Sequence, residues 1–76
     1  MPLAEKRLYM IWKEVLSDRE NEISDLVSRG LTNHQIGKKL DISELTVKTH
    51  LRNIYSKTDI HDRANLAISF LNFKNG

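Results

Sequence analysis

The sequence contains no cysteine, so neither a disulfide nor a thiolate metal site can form. It has no apolar run approaching the ~20 residues that span a bilayer. No signal peptide is apparent, because Glu5, Lys6 and Arg7 interrupt the start. These absences fit a reducing cytoplasm as the expected location. His34, His50 and His61 stand at no zinc-binding spacing and no HExxH pattern accompanies them, so no metal or cofactor is expected. Nor is there a nucleophile elbow, a glycine-rich phosphate loop or a carboxylate pair in a recognisable context. Catalysis and a small-molecule ligand are therefore not expected. At 76 residues the chain makes one domain with a small core.

A large surplus of one charge is also missing. Twelve basic residues face ten acidic ones, a net +2. The distribution says more than the total. Residues 1–30 carry five basic and six acidic groups, residues 31–63 six basic and four acidic, and Lys74 supplies the remaining cation. The positive balance lies in the second half, where a nucleic-acid partner would find it.

What that half contains is a pair of short capped helices. In Leu31-Thr32-Asn33-His34-Gln35-Ile36, Thr32 is an N-cap with Gln35 completing a capping box, and Leu31 and Ile36 occupy the hydrophobic-staple positions. Ser43 repeats the cap, Ile42 and Val47 repeat the staple, and Thr46 is a weaker box partner. Between the helices lies only Leu40-Asp41-Ile42, short enough to force a tight crossing. Along the second helix, at about 100° per residue, Val47, Leu51, Ile54 and Thr58 form one narrow stripe flanked by His50 and Tyr55. The opposite arc holds Leu45, Lys48, Thr49, Arg52, Asn53 and Ser56. From Lys48 to Lys57 there are three basic residues and no acid. A solvated face would mix in glutamate, as this chain does elsewhere. An acid-free arc of long cations and small polar groups suits the major groove of DNA. Leu45 is the unusual member. It reads either as an ordinary surface residue or as a contact for a thymine methyl group.

The segments Leu16-Ser17-Asp18-Arg19-Glu20, Gly30-Leu31-Thr32-Asn33, Ile42-Ser43-Glu44-Leu45-Thr46-Val47-Lys48-Thr49-His50 and Asn53-Ile54-Tyr55-Ser56-Lys57 resemble, in order and spacing, the LuxR/FixJ-type (GerE-like) helix-turn-helix domain. The resemblance runs from about Leu16 to Leu71. It implies an all-α fold of four helices whose third enters the major groove and whose fourth pairs two copies. Two departures stand out. Gly37 replaces the usual alanine, which loosens the scaffold helix by up to ~1 kcal/mol. Thr58-Asp59 replaces the usual Leu-Gly, which requires Asp59 to take a left-handed conformation that aspartate tolerates less well than glycine or asparagine.

The resemblance implies base contacts from Lys48, Thr49 and Arg52, which the helical wheel also turns outward. Phosphate contacts fall to Thr32 and Asn33 at the start of the scaffold helix, where amides and dipole favour an anion. Ser43 and Thr46 do the same beside the recognition helix, with Asn53 and Lys57 further along. Duplex DNA and a second copy are the implied partners, with RNA polymerase as a further one. Arg19 and Glu20 are read as structural, pairing with neighbouring helices.

The flanks complete an expected four-helix domain over residues 17–76, preceded by a helical or linker segment, residues 1–16. Ser17 and Glu20 form a capping box for a helix over Ile23, Leu26 and Val27 that Gly30 stops. In the N-terminal segment Leu8, Ile11, Trp12 and Val15 recur at helical spacing. They read either as a lid over the core, with Trp12 its largest piece, or as the tail of a linker. A last helix is expected from the Asp62 cap to about Phe73. Its apolar residues cover roughly 220° of the wheel, about twice what one buried stripe needs. Leu66, Phe70 and Phe73 are assigned to the core, and Ala64, Ile68 and Leu71 to the contact with a second copy. The N-terminal segment is the other candidate to cover that arc. The expected function is sequence-specific binding of duplex DNA by a transcription regulator, with residues 44–58 in the groove. The second reading is a protein-interaction module, such as an anti-activator that pairs with another regulator through the last helix. RNA binding ranks lower because no aromatic stacking platform is present.

Overall fold

The structure is a computed structural model and describes residues 10–75, the side chain of Ile11 excepted. Within them the chain forms a π-helical turn, Ile11–Val15, and four α-helices: α1 (Asp18–Ser28), α2 (Asn33–Leu40), α3 (Glu44–Thr58) and α4 (Arg63–Asn75). The all-helical architecture is the one expected.

The local signals that start each helix are realised as hydrogen bonds. Ser17 Oγ accepts from the Glu20 amide at 3.1 Å, and Glu20 Oε1 accepts from the Ser17 amide at 2.9 Å. Thr32 and Gln35 repeat that reciprocal pair at the start of α2, at 3.2 and 2.8 Å. Ser43 caps α3 by accepting from the Thr46 amide at 3.0 Å. Thr46 does not close a full box, because its hydroxyl is too short to reach back to the cap amide. It bonds the Ser43 hydroxyl instead, at 2.8 Å. Asp62 caps α4 by accepting from the Asn65 amide at 2.8 Å. That bond, with one from the Asn65 side-chain amide, holds the Asp62 carboxyl below its ordinary range.

The helices end as the backbone chemistry requires. α1 stops at Arg29, and Gly30 takes φ +88° so that the Leu31 amide can return to the Leu26 carbonyl at 3.2 Å. Asp59 is left-handed at φ 59°, as its position after α3 demanded. Thr58 supports that ending. It is buried, its hydroxyl donates to the Ile54 carbonyl at 2.8 Å, and the same oxygen accepts from the Ile60 amide at 3.2 Å. Asp41 is left-handed as well, at φ 56°, a conformation not foreseen from the sequence.

The core joins α1 to α4 and α2 to α3. Ile23, Leu26 and Val27 of α1, Ile36 of α2, Val47, Leu51 and Ile54 of α3, and Leu66 and Phe70 of α4 are buried together with Trp12 and Leu16. Trp12 is 1% exposed. Its ring meets Phe70 edge-on at 5.2 Å between centroids and stacks on Phe73 at 6.2 Å. Val15 departs from expectation and is half-exposed. The π turn is wider than the α-helical one assumed by the spacing, and this takes Val15 off the buried face. Leu8 lies outside the described residues.

Gly37 has a role beyond loosening α2. A Cβ placed there would lie 2.7 Å from the Ile42 carbonyl oxygen, a backbone atom of the turn into α3. The Gly37 carbonyl also accepts from the Ile42 amide at 2.9 Å, which draws the turn tightly against the helix. Gly37→Ala gains up to ~1 kcal/mol of helix propensity. It must also move backbone, at the ~1–3 kcal/mol typical of overpacking. The expected result is a net loss of stability in urea titration. A higher urea midpoint would show that the turn yields freely.

Candidate nucleic-acid interface

The buried stripe of α3 fixes which residues it presents. Val47, Leu51, Ile54 and Thr58 are buried, and that orientation leaves Leu45, Lys48, Thr49, Arg52, Asn53 and Ser56 exposed along the opposite side. Lys48 and Arg52 are one helical turn apart and share a face. Among the described residues no carboxylate pairs with either. Four other cations show the contrast: Arg19 pairs with Glu22, Arg29 and Lys74 with Asp25, and Lys57 with Glu20, whereas Lys38 and Lys39 of α2, like Lys48 and Arg52, have no carboxylate partner among the described residues. Lys48 and Arg52 thus present charge that the fold does not neutralise. Thr49 is less free. Its hydroxyl donates to the Leu45 carbonyl at 3.1 Å, leaving its methyl group and oxygen lone pairs for an outside partner.

The N-terminal ends of α2 and α3 hold the remaining polar candidates. Thr32 Oγ1 accepts from Gln35, so the hydroxyl hydrogen remains for an anion. Asn33 Oδ1 is occupied by Arg63, whose Nη1 donates to it at 2.7 Å, and its amide hydrogens remain. Ser43 and Thr46 stand exposed at the start of α3.

Arg63 was missed in the sequence. Its guanidinium also donates to the Leu31 carbonyl at 2.7 Å, tying α4 to the loop before α2. The available signal was its place in the first turn of a helix, where a cation opposes the macrodipole unless something else holds it.

Lys57 is separated from Lys48 by two and a half turns of helix, so it lies on the other flank of the exposed arc, one turn beyond Asn53. There its Nζ lies 2.8 Å from Glu20 Oε1, a carboxylate whose side chain is 5% exposed. Burial pushes the Glu20 carboxyl up. The Lys57 ammonium and the Ser17 amide and hydroxyl more than offset this, and the group titrates below its ordinary value. Glu20 thus reaches a neighbouring helix as expected. Arg19 does not: it pairs with Glu22 of its own helix at 2.9 Å, because the two are three residues apart on the exposed side of α1.

Ala64, Ile68 and Leu71 lie at helical spacing on the outer side of α4 and are exposed, Ile68 by 55% and Leu71 by 38%. Leu66 and Phe70 are buried and Phe73 packs at the core's edge. Among the described residues no helix is long and apolar enough to cross a membrane, and no group of three or more metal-ligating side chains occurs.

The family model of bacterial regulatory proteins, luxR family, matches residues 14–70, the stretch that contains all four capped starts and the exposed arc of α3. The chain belongs to this family. Among luxR-type relatives, the transcriptional regulatory protein LiaR of Bacillus subtilis (strain 168) is 49% identical over 55 residues, 72% of this chain and 26% of that protein. The monoamine regulon transcriptional regulator of Klebsiella aerogenes is 48% identical over 52 residues, 68% of this chain and 23% of its own. The nitrate/nitrite response regulator protein NarP of Escherichia coli (strain K12) is 42% identical over 57 residues, 75% of this chain and 26% of its own. The chain spans about a quarter of the length of these curated relatives. No solved structure matches it. Membership makes this a helix-turn-helix domain of DNA-binding transcription regulators rather than an enzyme.

Proposed function

We propose that the chain binds duplex DNA sequence-specifically, with α3 in the major groove and Lys48, Thr49 and Arg52 addressing base edges. The observation that carries this reading is the exposed arc of α3, where two cations lie one turn apart with no carboxylate partner among the described residues. Arg and Lys in that setting match the acceptor pair of guanine. Thr32, Asn33, Ser43, Thr46, Asn53 and Lys57 contact phosphates and set the register. The exposed stripe Ala64, Ile68, Leu71 pairs two copies about a twofold axis, which places one recognition helix on each half-site about one helical turn apart.

Selection from a random duplex pool with the purified chain, at near-physiological salt, tests this. An enriched inverted repeat supports dimeric reading. A single half-site keeps the recognition helix and removes the dimer. No enrichment from a folded, dimeric chain overturns the DNA reading in favour of a protein-interaction module. Arg52→Ala is expected to weaken the selected site by ~1–3 kcal/mol and to relax one base position. Equal losses on selected and random DNA would contradict base reading by Arg52.

A further inference from the structure

We propose that Leu45 is a specificity-determining residue that recognises one thymine, through contact of its side chain with the thymine 5-methyl group. This rests on the DNA-binding reading above. Leu45 is 71% exposed, the most exposed of the large hydrophobic residues described, and takes no part in the core. It occupies the first turn of α3, two residues after the Ser43 cap, the end of a recognition helix that lies closest to base edges. With Lys48, Thr49 and Arg52 it makes a single line at helical spacing.

The chemistry of this line selects thymine at its Leu45 end. Thr49 donates its hydroxyl proton to the Leu45 carbonyl at 3.1 Å, so neither residue offers a side-chain donor there. A guanine or adenine acceptor brought against this patch would lose water and gain no hydrogen bond from it. A thymine methyl group loses none and buries apolar surface against the leucine and the threonine methyl. Lys48 and Arg52 supply donors for the neighbouring bases. The arc therefore combines donor positions with one methyl-reading position.

The test begins from the operator selected by the intact chain. Each thymine in a half-site is replaced in turn by deoxyuridine, which removes the methyl group and leaves pairing unchanged. With the unsubstituted protein, one such replacement is expected to weaken binding roughly three- to tenfold, the worth of one or two apolar contacts. Leu45→Ala is expected to bind the thymine operator more weakly by a similar factor, to be indifferent to deoxyuridine at that position, and to lose the thymine from its own selected sequence. Because the side chain is exposed, its melting temperature should match that of the unsubstituted chain. Equal sensitivity of both proteins at every thymine, or no sensitive thymine at all, overturns the role of Leu45 while the DNA-binding reading stands. Failure to select any operator overturns both.

Discussion

Trp12→Ala is expected to remove about 3–5 kcal/mol of stability, the usual loss for truncating a buried large aromatic residue. The whole domain has only roughly 4–11 kcal/mol to lose, judged by its length. The melting temperature should therefore fall by at least about 12 °C, or the cooperative transition should disappear at room temperature. The reason is the position of the ring. Trp12 is 1% exposed and contacts both Phe70 and Phe73, so it closes the core between the N-terminal turn and α4. Its carbonyl is tied to α1 by the Asn21 side-chain amide at 2.8 Å. Trp12→Phe should cost much less. It keeps an aromatic ring in the site and removes an indole Nε1 that is buried without a hydrogen-bond partner, a burden of ~1–3 kcal/mol. The two variants, followed by thermal circular dichroism, separate loss of packing from loss of the indole itself. Similar melting curves for Trp12→Ala and the unsubstituted chain would show that the N-terminal turn is not part of the cooperative unit. Trp12 lies outside residues 14–70, the stretch that the family model matches, so a chain shortened to begin at Glu14 should behave like Trp12→Ala.

The second large effect concerns Lys57. Lys57→Ala is expected to cost about 1.5–3 kcal/mol of stability, the range for a hydrogen bond to a charged group. The full penalty for breaking a buried ion pair does not apply, because the Lys57 side chain is 43% exposed while that of Glu20 is 5% exposed. The pH dependence identifies the cause. The Glu20 carboxyl titrates below its ordinary value in the folded chain, so its contribution is fully present above the unfolded carboxylate range and is lost as pH falls through the folded value. Urea titrations across the acid range should show this loss in the unsubstituted chain. In Lys57→Ala, burial is opposed only by the Ser17 groups, and the acid-side loss should shrink. Glu20→Gln should flatten it further. An unchanged acid profile in Lys57→Ala would mean that Lys57 does not set the Glu20 titration. On DNA, the same variant should weaken all sequences alike. Its salt slope should fall by less than about one unit, since part of the Lys57 charge is already engaged by Glu20.

These two residues also mark where sequence reading succeeded and where it stopped. That Lys57 belongs to a capped helix with a basic outer side was legible, and so was the apolar character of Trp12. Which carboxylate Lys57 meets was not, because Glu20 is 37 residues away. Arg63 was overlooked for the same reason: its partners Asn33 and Leu31 lie 30 and 32 residues earlier. Val15 lies off the face that α-helical spacing predicts because its turn is π-helical, which local apolar spacing does not reveal.

The sequence by itself determined the four α-helices of the described residues, their N-caps and the two faces of α3. Each depends on residues three or four positions apart, and such neighbours meet whatever the rest of the chain does. Tertiary structure alone decided that Lys57 meets Glu20, that Lys74 meets Asp25, and that Lys48 and Arg52 are left without carboxylate partners among the described residues. Those outcomes depend on side chains brought together by packing of helices distant in sequence. No local pattern encodes which carboxylate of another helix a given cation will reach.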